Sequence, residues 1–322
     1  MLFFDAGLLA PGLAALAWLG RQGTRAVAAV VIIGVSVPAL GVVKPLLPAS
    51  VFLLLVLTFL RVDPRAIHAR LARPGLVIAA SIWVMLAQPV LLIGLYWLVG
   101  FKHQSPVLYL ALLLQAASIP MMSSPAIAAI MGLDAALVLT ALVGCTLLIA
   151  LSAPMFVRVF ADGAISLSPV DLGLTLFAML AGAALIANII RRLAGTDFIA
   201  RRRAELDGLS VLLLLVFCCA LMHDVAARSL ADPLLAIGLF ALAFGVGIAM
   251  LALTVMVFSP AGWRDAFALG LMTSQRNTGL MLAAAGSVLP DLVWFYYAMA
   301  QFPIYFAPFL LDPLARRINS RV

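Results

Sequence analysis

Apolar runs of about 17–25 residues recur along nearly the whole chain, bounded by arginine clusters, glycine and proline. A run of that length crosses lipid as a helix, because its backbone must satisfy its own hydrogen bonds there. Eleven such runs are expected, at approximately 3–20, 25–43, 46–61, 75–100, 106–131, 134–158, 169–190, 209–226, 233–257, 263–288 and 290–312. Hydrophobic residues make up 66% of the 322 and charged residues only 10%, against about a quarter charged in a water-soluble domain. The chain therefore reads as an all-α polytopic membrane protein. The first run holds Pro11 and Gly12 and lacks a basic leader, so it resembles an uncleaved extra span; Pro45 and Pro48 set the start of the third.

The net charge of +7 does not point to nucleic acid, because the arginines sit between apolar runs. Of the 20 Lys and Arg, fifteen fall on one side of the expected spans, including Arg21, Arg61, Arg191, Arg192, Arg201 to Arg203 and Arg316. Lys44, Lys102, Arg158 and Arg228 fall on the other, and Arg276 lies between. That bias places the protein in the inner (plasma) membrane as a multi-pass chain, N-terminus outside and C-terminus cytoplasmic. Cys145, Cys218 and Cys219 lie inside apolar runs without ligand spacing and read as small packing residues.

With the first run set aside, ten remain, five on each side of a linker. The expected organisation is an extra N-terminal span at 1–24, a five-helix repeat at 25–158, a linker at 159–168, a second repeat at 169–312 and a cytoplasmic tail at 313–322. Because five is odd, the second repeat runs inverted. In each half the fourth run is interrupted by polar residues: Ser118-Ile119-Pro120-Met121-Met122-Ser123-Ser124-Pro125 in one and Thr273 to Gly279 in the other. Paired interrupted helices in inverted halves point to a transporter's binding site.

Arg276, in Thr273-Ser274-Gln275-Arg276-Asn277-Thr278-Gly279, is a charge deep inside an apolar run. Such a charge costs several kcal/mol and faces a partner or a wet cavity. The candidate substrate-binding set is Arg276, Asn277, Gln275, Thr278, Ser274, Thr273, Ser123, Ser124, Ser118 and Gln115, gathered beside the two breaks. Gln88 beside Pro89 and Gln301 beside Pro303 read as bridges across kinks, and Tyr296, Tyr297 and Tyr305 are interfacial or crevice-lining. Asp134 follows Gly132 and opens a helix, where an N-cap is the natural reading and an ion-coupling role the alternative.

Leu60-Arg61-Val62-Asp63-Pro64 through Arg73-Pro74-Gly75, Ile119-Pro120 through Gly132-Leu133-Asp134, and Asn277-Thr278-Gly279-Leu280 together resemble the bile acid:sodium symporter family. The resemblance covers roughly residues 25–312. It implies a panel domain and a core domain, with the two broken helices crossing in the core and an organic anion moved by alternating access. Sodium-coupled members of that family carry a glutamate and a glutamine in the second broken helix, where this chain has Met272 and Arg276. The family's Ser-Asn pair falls near Pro125-Ala126 and its helix-five hydroxyls near Val138 and Leu142, so the resemblance implies that the sodium sites are lost.

Three readings of Arg276 stay open: a permanent stand-in for a sodium ion, held by carbonyl oxygens; a direct ligand for the anion through its five-donor fork; or a charge kept for stability alone. A sodium- or proton-coupled symporter or exporter of the same fold is the alternative carrier, and a non-transporting receptor or scaffold the alternative from another class. An enzyme is not expected: His68, His103 and His223 lie near loops and form no His-Glu-x-x-His pattern. No metal or cofactor motif is present, and the expected partners are a small organic anion and the lipid bilayer.

Overall fold

The computed structural model describes residues 6–61, 74–161, 168–285 and 288–320. Residues 62–73 of the loop that follows the third run, and most of the 159–168 linker, lie outside the described residues. The described chain is helical. In order it forms α1 (Ala6–Arg21), α2 (Thr24–Ser36), α3 (Leu47–Arg61), α4 (Pro74–Leu98), α5 (Pro106–Ala117), α6 (Ser124–Ile130), α7 (Ala135–Phe160) and α8 (Pro169–Ala194). There follow α9 (Thr196–Arg201), α10 (Arg203–Met222), α11 (Pro233–Phe258), α12 (Trp263–Ser274), α13 (Thr278–Ala285) and α14 (Asp291–Asn319).

Six stretches among the described residues are continuous helices long and apolar enough to cross a membrane: Pro38–Arg61, Pro74–Leu98, Ala135–Phe160, Pro169–Ala194, Arg203–Ala231 and Pro233–Ala261. This is a multi-pass membrane protein. The other five expected runs take different forms, four of them with a local cause. The boundary between the second and third runs lies at Val37-Pro38 and not at Pro45. Val37 is forced out of the helical region (φ −123°) by the proline after it, and a 3-10 segment, Pro38–Leu46, then leads directly into α3. That leaves α2 with 13 residues, about 20 Å of helix. The last run does not stop near 312. An Asp312–Arg316 pair one turn apart at 2.8 Å, with Arg316 and Arg317 at the dipole's negative end, carries α14 through the expected tail to Asn319.

The polar runs at 118–125 and 273–279 are where the chain leaves the helix. Ser118 turns extended (ψ 157°) ahead of Pro120, separating α5 from α6, and Gln275 (φ −103°, ψ 85°) separates α12 from α13. After α6, Gly132 takes a left-handed turn (φ 70°) and a Cβ there would also crowd Asn319 Nδ2. Asp134 Oδ1 then accepts from Leu137 N at 2.8 Å and starts α7.

The chain partitions into two compact units, Met1–Arg61 with Ala181–Ala227, and Val62–Leu180 with Arg228–Val322. In the first, α1 lies against α10 at backbone distance. A Cβ on Gly208 would overlap the Leu16 carbonyl, and one on Gly20 would overlap that of Ala204. Small residues permit such approach between membrane helices, where van der Waals packing is the main attraction. Cys218 is buried against Gly34 in the same unit, and Cys145 and Cys219 are buried too, as packing residues. The second unit holds α4 to α7, α11 to α14 and the start of α8. Gly208→Val is expected to separate α1 from α10 and lower stability by about 2 kcal/mol or more, read as a fall in the melting temperature of detergent-purified protein.

Candidate functional site

The two helix breaks meet inside the second unit and satisfy each other's backbone. Pro120 and Arg276 form an antiparallel bridge. Met121 N donates to Gln275 O at 2.6 Å, and Asn277 N donates to Ile119 O at 2.8 Å. A helix broken within lipid would otherwise leave these groups unpaired at a cost of several kcal/mol each.

Arg276 stands at the bridge, only 1% exposed, and among the described residues no carboxylate lies within ion-pair distance of it. Its acceptors are neutral oxygens. Nη1 donates to Ser118 O at 2.6 Å and to Val84 O at 3.3 Å. Nη2 donates to Gln88 Oε1 at 2.5 Å and to Val84 O at 3.2 Å. The four terminal N–H groups are therefore committed to the protein, and Nε is buried without a partner among the described residues. A hydrogen bond to a charged donor contributes about 1.5–3 kcal/mol. Three acceptor atoms thus bring a stabilisation of the same order as the several kcal/mol of desolvation a buried charge incurs.

Local sequence explains why those acceptors are available. α4 passes through a π-helical turn, Trp83–Ala87, in which Gln88 N bonds Trp83 O five residues back. The next residue in that register is Pro89, which has no N–H, so the Val84 carbonyl is left open for the guanidinium. Gln88, expected to bridge a kink, instead presents Oε1 to Arg276. Its Nε2 donates to Met250 O (2.9 Å) and Thr254 Oγ1 (3.0 Å) on α11. Thr254 Oγ1 also receives Trp83 Nε1 at 3.0 Å and lies 2.9 Å from Thr273 Oγ1. A buried polar chain therefore runs from α4 through α11 to α12, holding Gln88 with its oxygen toward the charge.

The remaining candidates fall into two groups. Several are already engaged. Ser118 Oγ bonds Gln115 O, Thr273 Oγ1 bonds Gly270 O and Ser274 Oγ bonds Leu271 O, all local backbone bonds. Gln115 Oε1 accepts from Tyr296 at 2.6 Å, and Thr278 Oγ1 accepts from Gln301 Nε2 at 3.0 Å. Asn277 Oδ1 accepts from Leu280 N and so caps α13. The others carry buried polar atoms without a partner among the described residues: Ser123 Oγ, Ser124 Oγ and Gln275 Oε1. Gln275 Nε2 meanwhile reaches Ile304 O at 3.3 Å. Native proteins leave few such atoms, and these three belong to the two broken stretches.

Tyr296 and Tyr297 are internal struts, fully buried and bonded to Gln115 Oε1 and Ala111 O, and Tyr305 is buried as well. Gln301 Nε2 donates to Tyr297 O one turn back and to Thr278 Oγ1 on α13. Asp134 sits at the start of α7 as its N-cap. In the first unit His223 faces Asp224 at 3.0 Å, with Asp224 55% exposed. The participants that sequence reasoning missed were Val84 O, Met250 and Thr254. A proline preceded by glutamine inside an apolar run, and a lone threonine in another, were the available signals.

No protein-family model matches the chain, and no curated protein sequence does.

Replacing Gln88 with Leu removes one of the guanidinium's three acceptor atoms and is expected to cost about 2–3 kcal/mol, visible as a lowered unfolding temperature. Asp134→Ala is expected to cost only about 1 kcal/mol, the loss of a helix cap.

Proposed function

We propose that this protein is a secondary carrier that moves a small organic anion across the membrane by alternating access, independently of sodium. Arg276 supplies the positive charge that a coupling cation would otherwise bring to the crossing of the two broken helices. The observation that carries this reading is the setting of the guanidinium: a buried charge at the meeting of two helix breaks, held by neutral oxygens alone. Carbonyl and amide oxygens of this kind are what a hard cation takes as ligands. The side chains at Met272, Val138 and Leu142 are buried and offer no oxygen.

The same geometry favours the stand-in role over direct grip of an anion by the fork, because the four terminal N–H groups are committed to protein oxygens. The field of the charge remains, unbalanced by any acid within ion-pair distance among the described residues, and it favours an anion close to the crossing. In this reading the substrate's carboxylate accepts from the hydroxyls of Ser123 and Ser124, which lack partners among the described residues.

The bile acid:sodium symporter-like architecture belongs to this proposal. It is supported by the order of the helices, with a broken helix at the fourth place of each half, and by the antiparallel sense in which the two breaks pair. Two helices of each half fall mainly in the first compact unit and three in the second, the division a panel and a core would have.

Purified protein in sealed proteoliposomes is expected to accumulate a labelled organic acid equally well in sodium and in choline buffer, and Arg276→Gln to abolish that uptake. Binding with no flux would turn the reading towards a receptor, and uptake that needs sodium would reject the stand-in role. Restoring the family's pair, with Met272→Glu and Arg276→Gln together, is expected to make thermal stability rise with sodium. A cation at a hundredfold over its Kd adds about 2.7 kcal/mol.

A further inference from the structure

Arginines that play no part in the crossing converge at one end of the first unit. Arg61, the last residue of α3, donates to Leu206 O at 3.1 Å, bonds Ser210 Oγ and pairs with Asp207 at 3.0 Å, which fastens it to the start of α10. Near the end of α8, Arg191 donates to Phe59 O (2.6 Å) and Leu60 O (3.2 Å) at the end of α3. Gly20, at the end of α1, lies against Ala204. The ends of α1, α3 and α8 therefore gather around the start of α10, with the short α9 between α8 and α10. Arg21, Arg61, Arg191, Arg192, Arg201, Arg202 and Arg203 fall within this end, against the three acids Asp197, Glu205 and Asp207.

Three of the seven have internal work. Arg61 and Arg191 tie helices together, and Arg202 pairs with Glu205 at 3.0 Å while lying over the Phe198 ring at 5.8 Å. Arg192, Arg201 and Arg203 are exposed, and no carboxylate among the described residues lies within ion-pair distance of them. Large apolar side chains are interleaved with these: Leu193 is 83% exposed and Phe198 47%. A solvated basic loop has no reason to hold Leu and Phe out in water. The boundary between headgroups and acyl chains suits both kinds of side chain at once, and of two long apolar helices α8 finishes there and α10 begins there.

We propose that this end of the first unit is a binding surface for anionic phospholipid. The headgroup phosphate is taken by Arg192, Arg201 and Arg203, and the acyl boundary by Leu193 and Phe198. Guanidinium groups suit a phosphate because their N–H pairs match its oxygens two at a time. The proposal is independent of the carrier reading above.

The experiment measures the affinity of detergent-purified full-length protein for a short-chain phosphatidylglycerol and for the matching phosphatidylcholine, over a range of salt. Wild type is expected to prefer phosphatidylglycerol and to lose affinity as salt rises. Each arginine near an anionic surface is worth about a fivefold change, so the triple variant R192Q/R201Q/R203Q is expected to bind about a hundredfold more weakly. R316Q/R317Q, which removes two charges from the second unit, is expected to bind like wild type. If the glutamine variant does not fold, R192K/R201K/R203K keeps the charge, and retained preference for the anionic lipid is the expected result. Equal affinity for the two lipids, affinity indifferent to salt, an unchanged glutamine variant, or complete displacement by millimolar inorganic phosphate would each overturn the proposal.

Discussion

Two helices are interrupted within apolar stretches of the chain, and each interruption exposes backbone groups that lipid cannot satisfy. The antiparallel pairing of Pro120 with Arg276 resolves both at once, since the amides and carbonyls of one break are the complements of those of the other. What the pairing leaves, the Ser118 carbonyl among them, the Arg276 guanidinium collects. The second unit is organised around this arrangement. α4 supplies two of the guanidinium's acceptors, α11 holds Gln88 in place, and α14 sends Tyr296, Tyr297 and Gln301 against α5 and α13.

A charge held only by neutral oxygens behaves differently from one in a salt bridge. An ion pair would cancel the field, whereas carbonyl and amide dipoles stabilise the guanidinium and leave a net positive potential around it. In the carrier proposed above, that combination takes the place of a bound cation at the crossing and draws an anion towards it. Ser123 and Ser124, whose hydroxyls have no partner among the described residues, lie on one of the same two breaks, so charge and open hydrogen-bond donors occur on the paired segments.

Arginine serves a second physical purpose in the first unit. There Arg61 and Arg191 close helix ends by taking up carbonyls and Asp207, and the neighbouring exposed arginines face outward beside Leu193 and Phe198. The buried arginine is committed to protein oxygens, while Arg192, Arg201 and Arg203 have no carboxylate partner among the described residues.

Several features were legible from residue order alone. Apolar runs of membrane length announce an all-helical membrane chain, and Pro120 and the polar stretch around Arg276 announce the two breaks, because a missing N–H and a buried charge are local facts. Asp134 after Gly132 likewise announces a cap. Other features were decided only by the fold. Whether Pro38 or Pro45 ends the second run depends on which backbone is carried into α3. Whether Gln88 spans its own kink or serves Arg276 depends on α4 passing within hydrogen-bonding distance of a break 188 residues later in the chain. The same holds for Thr254, one threonine in an apolar run until α11 brings it to Gln88 and Thr273. Local stereochemistry sets where a helix starts and stops. The partner of a buried polar group is set by whichever helices pack around it, and a single sequence carries that information only through the three-dimensional fold.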